Sequence, residues 1–244
     1  MKKLLGTVLV LLLVTASGCG SDPREKVVVL AASSLTESFT ALRAEFAKTH
    51  PDVDVGLVFD SSQALGNMAV QGAPGDVLAT ADGKTMSDTT LGHGTDGTPV
   101  KFASNVMVVV VPPDNPAHIK SFADLKKSQF VTCVLKAPCG TLANQLMVNH
   151  KLKARPVSEE VDVKAVLARV VGGEADAGIV YATDAKAAGD KVRSIAIPGA
   201  QKTPNTYWIA RTAQFKTPQA NTWIHFVLGP EGQQILADYG FGKP

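Results

Sequence analysis

The sequence is poor in the residues from which metal centres and redox sites are built. It has three cysteines, Cys19, Cys133 and Cys139, and five histidines among 244 residues. No two cysteines stand in a C-x-x-C spacing, and the histidines are scattered without a spacing typical of zinc ligands. The pattern therefore argues against a zinc site, and the sequence predicts neither a metal bound directly by side chains nor a cofactor.

An excess of charge of one sign is also missing. The formal net charge is +2, and without Lys2 and Lys3 the chain has 22 basic and 22 acidic residues. A neutral chain lacks the electrostatic footprint of a nucleic-acid-binding protein. Hydrophobic residues make up 45% of the chain and charged residues 19%, which favours a packed core over disorder. The length fits one large domain or two lobes of about 100 residues each.

The N-terminal segment has the features of an export and anchoring signal. A cationic start precedes an apolar stretch, Leu4 to Val14, that is too short to span a bilayer comfortably. Small residues then lead to Cys19, as in a bacterial lipobox, although Ala16 stands where Leu is commonest. We expect a signal peptide at 1–18, an acylated Cys19 and a tether at 19–26, which would anchor the protein to the cell membrane, facing the periplasm or the cell exterior. The alternative is an ordinary cleaved signal with an incidental cysteine.

Beyond the tether, strand-like and helix-like stretches alternate. Residues 27–32 are continuously apolar, as in a strand buried on both faces, and residues 34–50 carry one apolar helical stripe. Such alternation favours parallel sheets covered by helices. Residues 83–99 are rich in Gly, Thr and Asp and weakly periodic, so we expect them to form surface structure of their own. Ligands of parallel sheets lie beyond the carboxyl ends of the strands, so the strand-to-helix turns are the expected place for a binding site.

Serine occupies the first two of these turns. Ser34 and Glu37 match an S-x-x-E capping box, and Ser61 and Ser62 follow the second strand. A helix N-terminus offers unbonded N–H groups and a partial positive charge, so it suits an anion, with a hydroxyl as an extra donor. The alternative for Ser34 is a plain helix cap.

Three later turns add donors of the same kind. Gly140 beside Cys139 lets the backbone approach a ligand closely, and Val163 lies at a helix start. Tyr181 ends a buried strand, where its hydroxyl either points into the same crevice or belongs to an amphipathic core residue. Neutral donors suit a fully ionised oxyanion, because burying a dianion is costly unless its oxygens are hydrogen-bonded.

Taken together, the turns resemble those of the periplasmic molybdate-binding proteins, the substrate-binding subunits of molybdate ABC transporters. The resemblance covers about Val27 to Phe241, and its order and spacing are more specific than any single motif. The motifs are A-A-S-S-L-T-E at 31–37, F-D-S-S at 59–62, G-A-P-G-D-V at 72–77, P-C-G at 138–140, D-V-K at 162–164, G-I-V-Y-A-T-D-A at 178–185 and Y-G-F at 239–241.

The resemblance implies an oxyanion site between two lobes, built from two serines, a tyrosine and backbone N–H groups. Matched by motif, Ser34, Ser62 and Tyr181 donate through side-chain hydroxyls, whereas Cys139 and Val163 donate through the backbone. Cys139 replaces the small residue usual in the family. Because its donor is the backbone N–H, we expect the site to persist, although the sulfur could alter the fit of the ion.

The resemblance also implies the fold and the partners. We expect an α/β protein with the two-lobed, type II periplasmic-binding-protein fold, in which each lobe is a mostly parallel sheet flanked by helices. Two crossing strands near 102–104 and 201–203 would join a first lobe of residues 27–102 and 202–244 to a second lobe of residues 103–201. Hinge closure would trap molybdate or tungstate. The expected partners are the permease and ATPase of the importer, and the protein itself is expected to be a monomer without enzymatic activity.

Two other classes of function stay open as alternatives. The site could take another oxyanion, such as sulfate or phosphate, or an organic solute, although five donors suit an ion without a proton. An exported serine hydrolase would use Ser34 as a nucleophile, but the sequence has no G-x-S-x-G and no histidine near a strand end.

Cys133 and Cys139 are a candidate disulfide. They lie six positions apart, in a strand and in the turn after it, and an exported protein meets an oxidising compartment. A bridge requires their Cα atoms to lie within about 7 Å of each other. The alternative is a pair of buried free thiols.

Overall fold

The computed structural model describes residues 24–244, so the expected signal peptide and Cys19 lie outside the described residues. Strands and helices alternate through this part of the chain. The strands are Glu25–Ala32 (β1), Val53–Asp60 (β2), Val77–Thr80 (β3), Thr95–Asn105 (β4), Met107–Val111 (β5), Phe130–Cys133 (β6), Ser158–Glu160 (β7), Ala177–Tyr181 (β8), Arg193–Ala196 (β9) and Asn205–Thr212 (β10). The α-helices are Thr36–Thr49 (α1), Ser62–Val70 (α2), Gly83–Leu91 (α3), Pro138–Asn149 (α4), Val163–Val171 (α5), Ala182–Ala188 (α6), Gln219–Leu228 (α7) and Pro230–Asp238 (α8).

These strands form two five-stranded sheets, each the centre of one lobe. The sheet of lobe 1 has the order β2-β1-β3-β10-β4, and that of lobe 2 has the order β7-β6-β8-β5-β9. In each sheet two pairings are parallel and two are antiparallel. The sheets are therefore mixed where mostly parallel sheets were expected, because β10 and β5 run antiparallel to both of their neighbours. The parallel strands are those followed by helices. They therefore bring several helix N-termini to one edge of each sheet.

The chain crosses between the lobes beside two paired asparagines. Strand β4 ends at Asn105 and β5 of lobe 2 begins two residues later, at Met107. Strand β10 begins at Asn205, which is opposite Asn105 in the antiparallel ladder. Both crossings thus lie side by side, as expected for a hinge made of two strands.

Each lobe has a hydrophobic core of its own. In lobe 2 the strand β5, Met107–Val111, is buried throughout and packs with residues of β6, β8, α4 and α5. In lobe 1 an aromatic cluster lies under α1, where the Trp223 ring contacts Phe39 and Phe46 edge-on at centroid distances of 6.0 and 5.3 Å. Separate cores are compatible with movement of one lobe relative to the other.

The structure adds detail to one local expectation and corrects another. Residues 83–99, expected to form surface structure of their own, contain helix α3 and the first part of β4. Helix α3 is capped by Asp82, whose Oδ1 accepts a hydrogen bond from the Thr85 N–H at 2.9 Å, so a local cap compensates for weak apolar periodicity. The second crossing was expected as a strand at 201–203, but this segment includes a 3-10 turn, Ala200–Lys202, and β10 starts later. The lobe boundaries at 102 and 201 stay a prediction.

Candidate functional site

All five residues expected to hold an anion line one small cavity between the lobes. The lobe 1 residues of the cavity lie at the ends of β1, β2 and β3. The lobe 2 residues lie at the starts of α4 and α5 and at the end of β8. The lining residues are Ala32, Ser33, Ser34, Ser61, Ser62, Ala81, Ala137, Pro138, Cys139, Asp162, Val163 and Tyr181. The cavity volume is about 10 Å³, far below the roughly 300–1,000 Å³ of pockets for drug-sized ligands. Its size excludes a large organic ligand and leaves room only for a very small one.

Ser34 lies in the cavity for a reason other than helix capping. Residues Ser33–Leu35 form a 3-10 turn, and α1 begins only at Thr36, with no side chain capping it. The buried Ser34 Oγ instead lies 2.8 Å from the Tyr207 Oη of β10. The expected capping box of Ser34 and Glu37 is therefore wrong, because a tertiary partner takes the hydroxyl that a local cap would use.

Ser62 reaches the cavity from the first turn of α2. Its neighbour Ser61 is the cap of this helix, and the Ser61 Oγ accepts a hydrogen bond from the Ala64 N–H at 3.2 Å. The Ser62 Oγ accepts a hydrogen bond from the Ala81 N–H at 2.9 Å. One serine thus starts the helix, while the next is held against the end of β3.

Lobe 2 contributes helix N-termini. Pro138 and Cys139 are the first two residues of α4, and Val163 is the first residue of α5, which Asp162 caps by accepting a 2.8 Å hydrogen bond from the Ala165 N–H. The N–H groups of a first helical turn have no intrahelical partner and carry partial positive charge. The N–H groups of Cys139 and Val163 are therefore available for an anion.

The turn before α4 is held by two further constraints. Cys133 and Cys139 form a disulfide with a Cα–Cα distance of 5.8 Å, which links the end of β6 to the start of α4. Gly140 was expected to let the backbone approach a ligand. The close approach at Gly140 is instead to another part of the protein backbone. A Cβ at this position would lie 2.1 Å from the Val134 carbonyl oxygen. Glycine is required here because the first turn of α4 packs directly on the strand end.

Two buried phenols complete the site. Tyr181 and Tyr207 are 1% and 0% exposed, and burial is the main cause that raises the pKa of both hydroxyls well above the usual range. Both therefore keep their protons and remain neutral hydrogen-bonding groups. The Tyr181 Oη accepts a 2.6 Å hydrogen bond from the Asn205 Nδ2, which comes from the hinge strand.

Positive charge near the site is neutralised by acidic partners. Lys164 follows Val163, and its Nζ lies 2.7 Å from a Glu37 oxygen of lobe 1 and 3.0 Å from the Asp184 Oδ1 of lobe 2. Burial raises the pKa of Asp184 to about 6, although the Lys164 ammonium opposes that shift. Among the described residues that line the cavity, none is Lys or Arg. The cavity therefore offers hydroxyl and N–H donors without a cationic side chain, a combination suited to an anion held by neutral dipoles.

Sequence reasoning missed the residues that contact the hydroxyls from behind. Asn205 and Tyr207 lie on one face of β10, two positions apart, and Asn105 lies opposite in β4. The sequence signal that could have identified them is a pair of polar residues, Asn205 and Tyr207, in a strand that is otherwise largely buried. Across 24–244, no cluster of three or more His, Cys, Asp or Glu is placed to hold a metal ion, and no helix is long and apolar enough to cross a membrane.

Comparison with known proteins gives a consistent family. Residues 27–242 match the model of the bacterial extracellular solute-binding proteins. The molybdate-binding protein ModA of Mycobacterium tuberculosis strain H37Rv is 37% identical over 221 residues, which cover 89% of this chain and 85% of that protein.

Solved structures agree in fold. The periplasmic molybdate-binding protein of Azotobacter vinelandii has a TM-score of 0.78 at 19% identity, over 89% of this chain and 99% of that one. The sulfate-binding protein SubI of M. tuberculosis has a TM-score of 0.76 at 17% identity, over 89% of this chain and 86% of that one. These likenesses confirm the expected two-lobed α/β architecture, and since one fold serves two different ions, they do not decide between ligands.

Proposed function

Because this chain belongs to the bacterial extracellular solute-binding proteins, we propose that it captures molybdate, and tungstate as a near-identical ion, and delivers it to an ABC importer. The ModA relative, 37% identical over most of its length, supports molybdate as the ligand. The observation that carries the proposal is the convergence of Ser34, Ser62, Cys139, Val163 and Tyr181 on one small cavity from five separate segments.

In this proposal, neutral donors bind the ion. The hydroxyls of Ser34, Ser62 and Tyr181 and the backbone N–H groups of Cys139 and Val163 donate hydrogen bonds to its oxygens. Hydrogen bonds to a charged ligand contribute about 1.5–3 kcal/mol each, so a few of them suffice for tight binding. A site between two lobes also couples capture to hinge closure, and the importer can then distinguish the loaded form from the empty one.

Titration of ligand-stripped protein tests the ligand. We expect calorimetric heat with molybdate and tungstate, and a rise in melting temperature. At a hundredfold excess over Kd, binding stabilises the folded state by about 2.7 kcal/mol, or very roughly 5–10 °C for a chain of this length. We expect sulfate to give a smaller shift, because its shorter bonds place its oxygens farther from donors spaced for molybdate, and phosphate the smallest, because its proton faces donors. If molybdate and tungstate give neither heat nor a shift, the proposal fails.

Sulfate is the second candidate, favoured by the fold likeness to the sulfate-binding protein SubI. The same titration separates the two ions, because a sulfate protein would bind sulfate more tightly than molybdate. A serine hydrolase has less support, since none of the described residues that line the cavity beside Ser34 is a histidine able to serve as its base.

The anchoring of the protein is a separate part of the proposal. The small residues before Cys19 support acylation at that cysteine and attachment to the membrane from outside the cytoplasm. In a bacterial host, we expect the wild-type chain to label with a lipid precursor and to sediment with membranes, and Cys19→Ala to do neither. A variant that still labels and sediments would exclude the lipobox.

A further inference from the structure

The three hydroxyl groups assigned to the ligand share a feature that their donor role alone does not require. The oxygen of each of these hydroxyls contacts a second polar group of the protein. A hydroxyl has one proton to donate and lone pairs that accept. If the protein occupies a lone pair with a donor of its own, the proton is left for the ligand.

For Ser62 the direction is fixed by the backbone. The group behind its Oγ is the Ala81 N–H at 2.9 Å, and a backbone N–H only donates. The Ser62 Oγ therefore accepts from Ala81 and turns its proton toward the cavity.

For Tyr181 the direction is set by the hinge. The Asn205 Nδ2 donates to the Tyr181 Oη at 2.6 Å, and both side chains are buried, with Asn205 9% and Tyr181 1% exposed. The phenol proton is then free to point at the ion.

For Ser34 the direction is set through two groups in series. The Asn105 Oδ1 accepts a hydrogen bond from the Val106 N–H at 2.9 Å, which turns the Asn105 Nδ2 toward the Tyr207 Oη, 3.4 Å away, and the Thr183 Oγ1, 2.8 Å away. The Tyr207 Oη and the Ser34 Oγ lie 2.8 Å apart, and either hydroxyl could donate to the other. The Asn105 donor behind the Tyr207 Oη favours Tyr207 as the donor of this pair. Ser34 then donates to the cavity.

We propose that Asn205 and Tyr207 are specificity-determining positioning residues, which hold the Tyr181 and Ser34 hydroxyls with their protons toward the ligand. The inference rests on the proposed function and extends it to the choice of ion. A fully deprotonated tetrahedral ion finds a donor in each of these two hydroxyls, as it requires. Monohydrogen phosphate brings a proton that needs an acceptor, and in both hydroxyls one lone pair is already occupied by a donor of the hinge strand.

The first experiment reverses the direction of the hydrogen bond between residue 205 and the Tyr181 hydroxyl. Asn205→Asp is nearly isosteric and replaces the donor behind Tyr181 by an acceptor, so the phenol proton turns to the carboxylate. Asn205→Ala is the matched control, because it removes the group without turning the phenol. We expect Asn205→Asp to weaken molybdate binding at least tenfold more than Asn205→Ala does.

Repulsion by the new carboxylate would also weaken binding, so the decisive quantity is a ratio. Sulfate and monohydrogen phosphate are both dianions at mildly alkaline pH, so repulsion affects them similarly, but only phosphate can donate to a reversed Tyr181. We expect the sulfate-to-phosphate affinity ratio to fall at least tenfold in Asn205→Asp relative to Asn205→Ala. An unchanged ratio overturns the role of Asn205.

The second experiment is a double-mutant cycle that does not involve Asn205. If Tyr207 acts through Ser34, Tyr207→Phe should weaken molybdate binding about three- to tenfold in the wild-type background and less than twofold in the Ser34→Ala background. Equal losses in both backgrounds would show that Tyr207 only supports the fold and would overturn its positioning role.

Thermal unfolding of each unliganded variant verifies that it is folded. If wild-type protein binds molybdate and both tests fail, the proposed function stands without this inference. If the wild-type chain binds none of these anions, both are overturned.

Discussion

The two lobes contribute to the cavity by different chemistry. Lobe 1 supplies the side-chain hydroxyls of Ser34 and Ser62, each in contact with a second group of the protein. Lobe 2 supplies the backbone N–H groups of Cys139 and Val163 at two helix starts, and only Tyr181 through its side chain. A disulfide holds the turn before α4 in lobe 2, whereas in lobe 1 hydrogen bonds perform the same task.

The difference shows how a binding site can depend on sequence to different degrees in its two halves. A hydroxyl donor is lost when its residue changes, but a backbone donor survives any substitution that preserves the helix start. This explains why Cys139 can stand where the resembling family usually has a small residue. It also means that side-chain substitutions probe lobe 1 directly and most of lobe 2 only indirectly.

The largest expected effect tests this asymmetry. Ser34→Ala and Ser62→Ala should each weaken molybdate binding about ten- to hundredfold, since each removes a hydrogen bond to a charged ligand worth about 1.5–3 kcal/mol. Val163→Ala keeps the backbone N–H and should leave the affinity close to that of the wild type, although it trims a buried side chain. Calorimetric titration of the three variants gives the comparison.

Controls separate binding from folding in these variants. Ser62→Ala also leaves the Ala81 N–H without its acceptor, so the melting temperature of each unliganded variant must be measured beside its affinity. Val163 is a better probe than Cys139, because substitution of Cys139 also removes the disulfide. Equal losses in Val163→Ala and Ser34→Ala would contradict the division between backbone and side-chain donors. A Ser34→Ala, Ser62→Ala double variant with wild-type affinity would mean that the site is misplaced.

A smaller effect is expected where the two lobes touch. Glu37 of lobe 1 and Lys164 of lobe 2 form an ion pair of 2.7 Å at the edge of the cavity, with side chains 40% and 24% exposed. The pair exists only while the lobes are together, so it favours the arrangement that an enclosed ligand also needs. Glu37→Gln should therefore weaken molybdate binding about two- to fivefold, in keeping with at most about 1 kcal/mol for a partly exposed pair.

The same helix offers a matched control for that variant. Glu45 pairs with Lys48 at 2.7 Å within α1, so Glu45→Gln removes an ion pair of the same length without touching lobe 2. We expect it to leave the affinity unchanged. The loss in Glu37→Gln should also shrink at high salt, because partly exposed charges are screened. Equal affinities of Glu37→Gln and wild type at low salt would exclude a contribution of this contact to binding.

Sequence patterns predicted the helices and strands well where the apolar signal was strong and local. The continuous apolar stretch of β1, the helix α1 and the buried strand β8 that ends at Tyr181 lie close to their predicted positions. Helix α3 was missed because its formation depends on the Asp82 cap and on burial of Met86 and Thr89 more than on periodicity. Strand β7, only three residues long, was missed because its pairing with β6 carries no signal in its own sequence.

The positions of the site residues were available from the sequence because strand-to-helix turns are local. Ser62, Cys139, Val163 and Tyr181 each stand where a strand or helix begins or ends, and local propensity decides such points. The hydrogen-bond and ion-pair partners around the site could not be predicted in the same way. Tyr207 is 173 positions from Ser34, and Lys164 is 127 positions from Glu37, so no local pattern links them.

The sequence by itself therefore determined the α/β alternation, the cysteine pair and five of the residues that line the cavity. The tertiary structure alone decided which way each group faces: the Ser34 hydroxyl toward Tyr207 instead of its own helix, Gly140 toward the strand end, and Glu37 toward the other lobe. The physical reason is that a buried polar group must be paired, and its partner is whichever donor or acceptor the packing of distant segments brings within hydrogen-bonding distance. Local propensity sets where a helix starts, but it carries no information about that distance.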